Sequence, residues 1–102
     1  LTVITLSKDC KATFMDLLNA LADENIESRP AWKPMHMQPV FKDCGFVTQL
    51  DEDQKRELGV GSVCEDIFNR SLCLPSDTKM TDDQVRFVAG IVIKTIEDKQ
   101  RA

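Results

Sequence analysis

This 102-residue chain contains no C-x-x-C pair and a single histidine. Zinc sites are built from closely spaced Cys and His pairs, so Cys10, Cys44, Cys64 and Cys73 are not read as metal ligands. Long apolar runs are missing as well. Stretches such as Phe87-Val88-Ala89 and Ile91-Val92-Ile93 fall far below the roughly 20 residues that span a bilayer, so no membrane partner is expected. Nor is there an excess of basic charge. Thirteen Lys and Arg against 17 Asp and Glu leave a net charge of −4, without the basic footprint of a nucleic-acid partner. The opening residues lack the charged n-region and small-residue cleavage site of a signal peptide. A cytoplasmic location with four reduced thiols is therefore expected.

The composition that is present is that of an ordinary globular domain, 42% apolar and 29% charged. One small domain fits this length. Leu1 to Leu6 alternates apolar and hydroxyl residues and predicts a strand. A strand at the very start suggests a piece of a longer protein. Ser7 to Ala12 reads as a turn. Thr13 and Asp16 have capping-box spacing, and Phe14, Leu17, Leu18 and Leu21 follow with helical spacing. Asn25 is a candidate left-handed terminator. Ile26 to Pro30 predicts a second strand, stopped by proline.

Three prolines, Pro30, Pro34 and Pro39, exclude regular helix and central strand from the next ten residues. The apolar content of this stretch (Trp32, Met35, Met37, Val40, Phe41) predicts an ordered loop. Thr48 to Gly61 reads as a surface loop or short exposed helix. Ser62 and Glu65 form a second capping box, opening a helix whose apolar face would be Val63, Ile67 and Phe68. Leu72-Cys73-Leu74 predicts a third strand, with Cys73 in the core. Thr81 and Gln84 form a third box. The final helix carries the stripe Val85, Val88, Val92 and Ile96, joined by Ile91. This order predicts an α+β fold, a small sheet of about three strands covered by helices.

The chemistry concentrates in one place. From Ser28 to Lys42 there are three Lys or Arg, the only histidine, the only tryptophan and no acid, so the remainder carries 10 basic and 17 acidic residues, or −7. Arginine and lysine hold anionic oxygens, and a tryptophan face packs on a flat ring or sugar. The same residues have plainer roles open to them. Trp32 can anchor a core or interface, His36 can be a hydrogen-bonded structural residue, and Arg29 and Lys33 can pair with Glu27 or Asp43. No nucleophile elbow, G-x-x-x-x-G-K or G-x-G-x-x-G pattern occurs. Gly59-Val60-Gly61 suits a turn before Ser62 better than a phosphate loop.

The segment Ile26-Glu27-Ser28-Arg29-Pro30-Ala31-Trp32-Lys33-Pro34-Met35-His36-Met37-Gln38-Pro39-Val40-Phe41 closely resembles a stretch of the DegT/StrS family of sugar aminotransferases. Val63-Cys64-Glu65-Asp66-Ile67-Phe68 leading into Leu72-Cys73-Leu74-Pro75-Ser76, and the helix opening Met80-Thr81-Asp82-Asp83-Gln84, agree with it in order and spacing. The resemblance spans the chain and implies the C-terminal small domain of the aspartate-aminotransferase-like, pyridoxal-phosphate-dependent fold.

It further implies a parent enzyme, expected to be a homodimer. That parent would move an amino group from glutamate to a nucleotide-linked keto sugar, of the UDP-4-keto-6-deoxy kind, in surface polysaccharide synthesis. The cofactor's lysine and most phosphate contacts belong to the family's large domain, which this resemblance places outside the chain. No lysine here matches the Schiff-base position. The chain alone would then bind no pyridoxal phosphate, would not transaminate, and would self-associate through the face meant for the large domain. By resemblance Arg29, Trp32, Lys33 and His36 face the substrate. Two departures stand out: Ser71 and Asp77 occupy positions where the family often has glycine. Two other functions are kept open: a pleiotropic regulatory or interaction domain without catalysis, and a sugar dehydratase relative lacking the Schiff-base lysine.

Overall fold

Strand β3, Ser71–Leu74, holds the sheet together, because a strand buried at three of its four positions must be paired on both sides. A computed structural model describing residues 1–102 shows this arrangement. β1 (Thr2–Thr5) lies antiparallel on one side of β3, with Val3 opposite Cys73 and Ile4 opposite Leu72. β2, only Arg29–Pro30, lies antiparallel on the other, with Arg29 opposite Cys73 and Pro30 opposite Leu72. The strand order is β1-β3-β2. Pro30 has no N–H to give the ladder, which an edge strand tolerates. The expected strand from Ile26 therefore shrinks to its last two residues.

Residues directly opposite share a face of the sheet. Ile4 and Leu72 point to the face covered by helices α1 (Phe14–Asp23) and α4 (Asp82–Arg101). There Leu6, Leu17, Leu21, Leu72, Val88 and Val92 form the buried core. Each fully buried leucine contributes about 1.5–3 kcal/mol. Val3, Arg29 and Cys73 share the opposite face, where Cys73 is buried.

The helix ends follow local chemistry. Thr13 accepts the amide of Asp16, and the Asp16 carboxylate accepts the amide of Thr13 at 2.8 Å, closing the first box. Asn25 adopts φ 59°, and Ile26 N–H and Asn25 N–H reach the carbonyls of Leu21 and Ala22, a Schellman termination. The Thr81–Gln84 box at α4 closes in the same way. Val88 and Val92 of the predicted stripe are buried, but Val85 lies outside it and is half exposed. The buried residues of α4 begin at Val88, after its first turn. No helix is long and apolar enough to cross a membrane.

The middle of the chain is built differently. Residues 31–41 form a loop with two short 3-10 turns, Met35–Met37 and Pro39–Phe41. The loop is regular, yet the burial argument behind that expectation does not hold. Trp32, Met35 and Val40 are 67%, 61% and 77% exposed. The exposed stretch beyond contains α2 (Glu52–Leu58), capped by Asp51 and ended by Gly59 at φ 77°. Gly59 is thus a helix terminator, a role its position before Ser62 had obscured. Helix α3 (Val63–Arg70) also departs from its predicted face. Val63 and Ile67 are exposed, whereas Ser62 and Asp66 are buried.

Ser71 follows α3 with φ −120° and ψ 154°, an extended backbone that any residue adopts. No left-handed residue is needed there, so serine in place of the family's glycine carries no strain. Its hydroxyl lies 2.8 Å from that of Thr5 across the β1–β3 pair. Asp77 builds a turn of its own, its carboxylate accepting the amide of Lys79 at 2.9 Å.

Candidate functional site

Trp32 divides two concave regions. One, of about 660 Å³, lies beside β2 and the end of β3 and is lined by Glu27, Ser28, Arg29, Trp32 and Cys73 among others. The second, of about 530 Å³, runs between the 31–41 loop and α3. Its walls include Trp32, Lys33, His36, Phe46, Cys64 and Ile67. The four residues expected at one site are therefore distributed over two. Arg29 belongs to the first hollow, Lys33 and His36 to the second, and Trp32 to both.

Arg29 is placed by β2, whose pairing sets it on the same sheet face as Cys73. Its Nε and terminal nitrogen donate to one oxygen of Glu27 at 3.0 and 2.7 Å. Both side chains are mostly exposed, and a pair like this is worth at most about 1 kcal/mol. An anion can displace Glu27 at little cost. Lys33 projects from the loop, and its carbonyl accepts the Gln38 side-chain amide at 3.2 Å.

His36 is the best-held of the four. Its Nε2 lies 2.7 Å from Oε1 of Glu65, with both side chains about four-fifths buried. Its ring stacks on Phe46 at a centroid distance of 3.7 Å and 18° between planes. Nδ1 is buried without a partner, as is Oγ of Ser28. Glu65 was expected to return to the amide of Ser62 and complete a capping box. Only half of that box forms: Ser62 Oγ accepts the amide of Glu65 at 3.3 Å. The Glu65 carboxylate turns instead to His36 and to the amide of Gly61 at 2.9 Å. The two carboxylate oxygens are thus taken by the imidazole and by the amide of Gly61, and both bonds are charge-assisted on the acceptor side. The His36 hydrogen bond, followed by the Gly61 amide, holds the Glu65 carboxyl below its usual range against the opposing effect of burial.

A second polar cluster fastens α3 to the sheet. Arg70 donates to both oxygens of Asp66, at 2.9 and 2.7 Å, and to the carbonyl of Leu6. Leu6 N–H returns to the carbonyl of Arg70 at 2.9 Å. The paired guanidinium keeps the Asp66 carboxyl below its usual range, and Asp66 raises Arg70 in turn. This cluster turns the polar face of α3 inward and its apolar face, with Ile67, toward the groove. Glu65, Phe46, Asp66 and Arg70 were not expected at the site from the sequence. The i,i+4 spacing of Asp66 and Arg70 was the available signal for that pair. Glu65 was masked by its fit to a capping box.

The two hollows beside Trp32 offer a guanidinium, an ammonium, an aromatic face and a positioned imidazole. That set can hold an anionic ligand bearing a ring. No group of three or more His, Cys, Asp or Glu side chains stands together to hold a metal ion.

Comparison with known proteins gives matches over nine-tenths or more of the chain. Residues 1–93 match the model of the DegT/DnrJ/EryC1/StrS aminotransferase family. A Bacillus subtilis (strain 168) protein, EpsN, named as a pyridoxal phosphate-dependent aminotransferase, is 40% identical over 99 residues. The match covers 94% of this chain and 24% of EpsN. Among solved structures, the fold resembles Spr1654 from Streptococcus pneumoniae, named as a sugar aminotransferase. Its PMP form superposes with a TM-score of 0.68 at 20% identity, over 97% of this chain and 22% of that one. Its apo form gives 0.69 at 19% identity, over 99% and 23%. The chain thus spans about a quarter of the length of these relatives. Its fold is that of a portion of the sugar aminotransferase structures. With the family model matched over nine-tenths of its residues, this chain belongs to the DegT/DnrJ/EryC1/StrS aminotransferase family.

Proposed function

We propose that this chain is the C-terminal small domain of a pyridoxal-phosphate-dependent sugar aminotransferase, and that it forms one wall of the substrate cleft. Its parent transfers an amino group from glutamate to a keto sugar carried on a nucleotide, of the UDP-4-keto-6-deoxy kind, for surface polysaccharide synthesis in the cytoplasm. The parent acts as a homodimer. The observation that carries this reading is the 40% identity to EpsN over nearly the whole chain. The arrangement around Trp32 supports it.

The residues of this chain do not themselves suit the cofactor. Neither hollow beside Trp32 sets a lysine against an acid: the first has no lysine, and the second has Lys33 without a carboxylate on its walls. No chemical step is therefore assigned to this chain, and the cofactor site is assigned to the rest of the polypeptide. What this chain supplies is binding. Arg29 exchanges Glu27 for an anionic oxygen of the substrate, and Trp32 lays its exposed face on a ring. Lys33 and His36 contribute from the groove side. These contacts orient the sugar and exclude water from it.

The test is borohydride reduction of the full-length protein after addition of pyridoxal phosphate, with peptide mass analysis. A reduced adduct on a lysine outside these 102 residues is the expected result. Cofactor bound without a lysine adduct would shift the assignment to the dehydratase type. An absence of cofactor binding would shift it to an interaction module.

A further inference from the structure

The bond between Glu65 and His36 replaces one that the sequence pattern favours, and it is made at a cost to the helix cap. The two oxygens of Glu65 take different partners, Nε2 of His36 at 2.7 Å and the amide of Gly61 at 2.9 Å. They therefore tie the 31–41 loop to the turn that opens α3. Phe46 closes the ring from its face. A carboxylate only accepts, so Nε2 must carry the proton it shares. The other nitrogen, Nδ1, is buried and meets no partner. A bare lone pair tolerates that position better than an N–H, because orphaned donors are rarer in native proteins than under-used acceptors.

We infer that Glu65 is a positioning residue: it fixes His36 in the tautomer protonated on Nε2 and thereby holds the Trp32–His36 loop in one arrangement over the groove. Glu65 touches no ligand in this role. It acts through His36, and through the loop sets how Trp32 and Lys33 are presented. Its effect on substrate binding rests on the function proposed above, whereas its effect on the imidazole does not.

The single histidine makes the experiment direct. The chain labelled with 15N at histidine is examined near neutral pH by long-range 1H–15N spectroscopy, with the Trp32 indole as a second reporter. The wild type should show one tautomer, protonated at Nε2. Glu65→Gln keeps an oxygen for Nε2 and should keep that tautomer. Glu65→Ala should give a mixture of tautomers and move the Trp32 signal, with the amides of α1 and α4 unchanged. A wild type protonated at Nδ1, or a Glu65→Ala spectrum identical to wild type, overturns the inference. So does a Glu65→Gln spectrum as mixed as that of Glu65→Ala. Should Glu65→Ala fail to fold, the wild type and Glu65→Gln still decide the matter.

In the full-length protein, Glu65→Ala should raise KM for the sugar about tenfold with kcat changed far less, and Glu65→Gln should recover most of the loss. A fall confined to kcat would overturn the positioning role. An inactive wild type would instead count against the aminotransferase reading, and the imidazole spectra would still judge Glu65.

Discussion

The two halves of this molecule use their apolar residues in opposite ways. In the layer formed by the sheet with α1 and α4, Leu17, Leu21 and Leu72 are completely buried. In the segment from the 31–41 loop through α3, Trp32, Val40, Val47, Val63 and Ile67 are between 42% and 93% exposed. The first half contains the closed core, although Phe87 and Ile93 on the outer side of α4 stay about half exposed. The second is organised by polar fastenings, Glu65 to His36 and Asp66 to Arg70, and presents its apolar side chains outward. Apolar surface exposed in this way leads to the expectation of a contact face. The relatives are about four times longer, so most of what surrounds this portion in them lies outside these residues. Local order and burial are thus separable: the loop has regular turns although its largest side chains face solvent.

The sharpest way to break this comparison is to truncate one aliphatic side chain to alanine in each half. Leu17→Ala should cost about 2–5 kcal/mol, since it removes a fully buried side chain and leaves a cavity. Val40→Ala, at 77% exposure, should change stability by less than about 0.5 kcal/mol. Urea midpoints of the two variants measure both. Comparable losses would mean that the outward half is packed after all.

A smaller effect is expected at the fastening of α3. Asp66→Asn exchanges the ion pair with Arg70 for a neutral hydrogen bond and should cost about 1–2 kcal/mol at pH 7. The Asp66 carboxyl is held below its usual range chiefly by the Arg70 hydrogen bonds. Its contribution is therefore complete above the ordinary carboxylate pKa, near 4. It is lost as pH falls from there through the lowered folded-state value. Urea titrations at several acidic pH values should show the wild-type advantage over Asp66→Asn shrinking through that window. An advantage independent of pH would remove the ion pair from the account.

The smallest stability change, with the largest change in behaviour, is expected at the groove. Ile67→Asp on the exposed side of α3 should shift the urea midpoint little. The wild-type chain should self-associate as its concentration rises, through the face that includes Trp32 and Ile67, and the aspartate should suppress this. Sedimentation velocity distinguishes the two. A wild type that stays monomeric at high concentration would contradict the contact face.

Much of the first half was legible in the sequence, because its signals are local. The Thr13–Asp16 and Thr81–Gln84 boxes, the left-handed Asn25 and the Leu17–Leu21 spacing involve residues within a few positions of each other. The same patterns misled where a distant partner competed. Ser62-x-x-Glu65 has the spacing of a full box, but His36, 29 residues away, takes the carboxylate. Val63, Ile67 and Phe68 read as an inward stripe, yet the Asp66–Arg70–Leu6 cluster rotates α3 the other way. Val85 fits the α4 period but lies beyond the edge of the core.

The sequence by itself determined where α1, α3 and α4 begin, which leucines of α1 would pack, and the motif-bearing loop that resembles its family. These depend on backbone capping and on periodicity, which act over one or two turns. Only the tertiary structure decided which face of α3 turns inward, that Trp32 stands between two hollows, and that Arg29 and His36 serve different ones. Those outcomes depend on which groups meet across the fold, and one hydrogen bond between distant residues was enough to outweigh a local pattern.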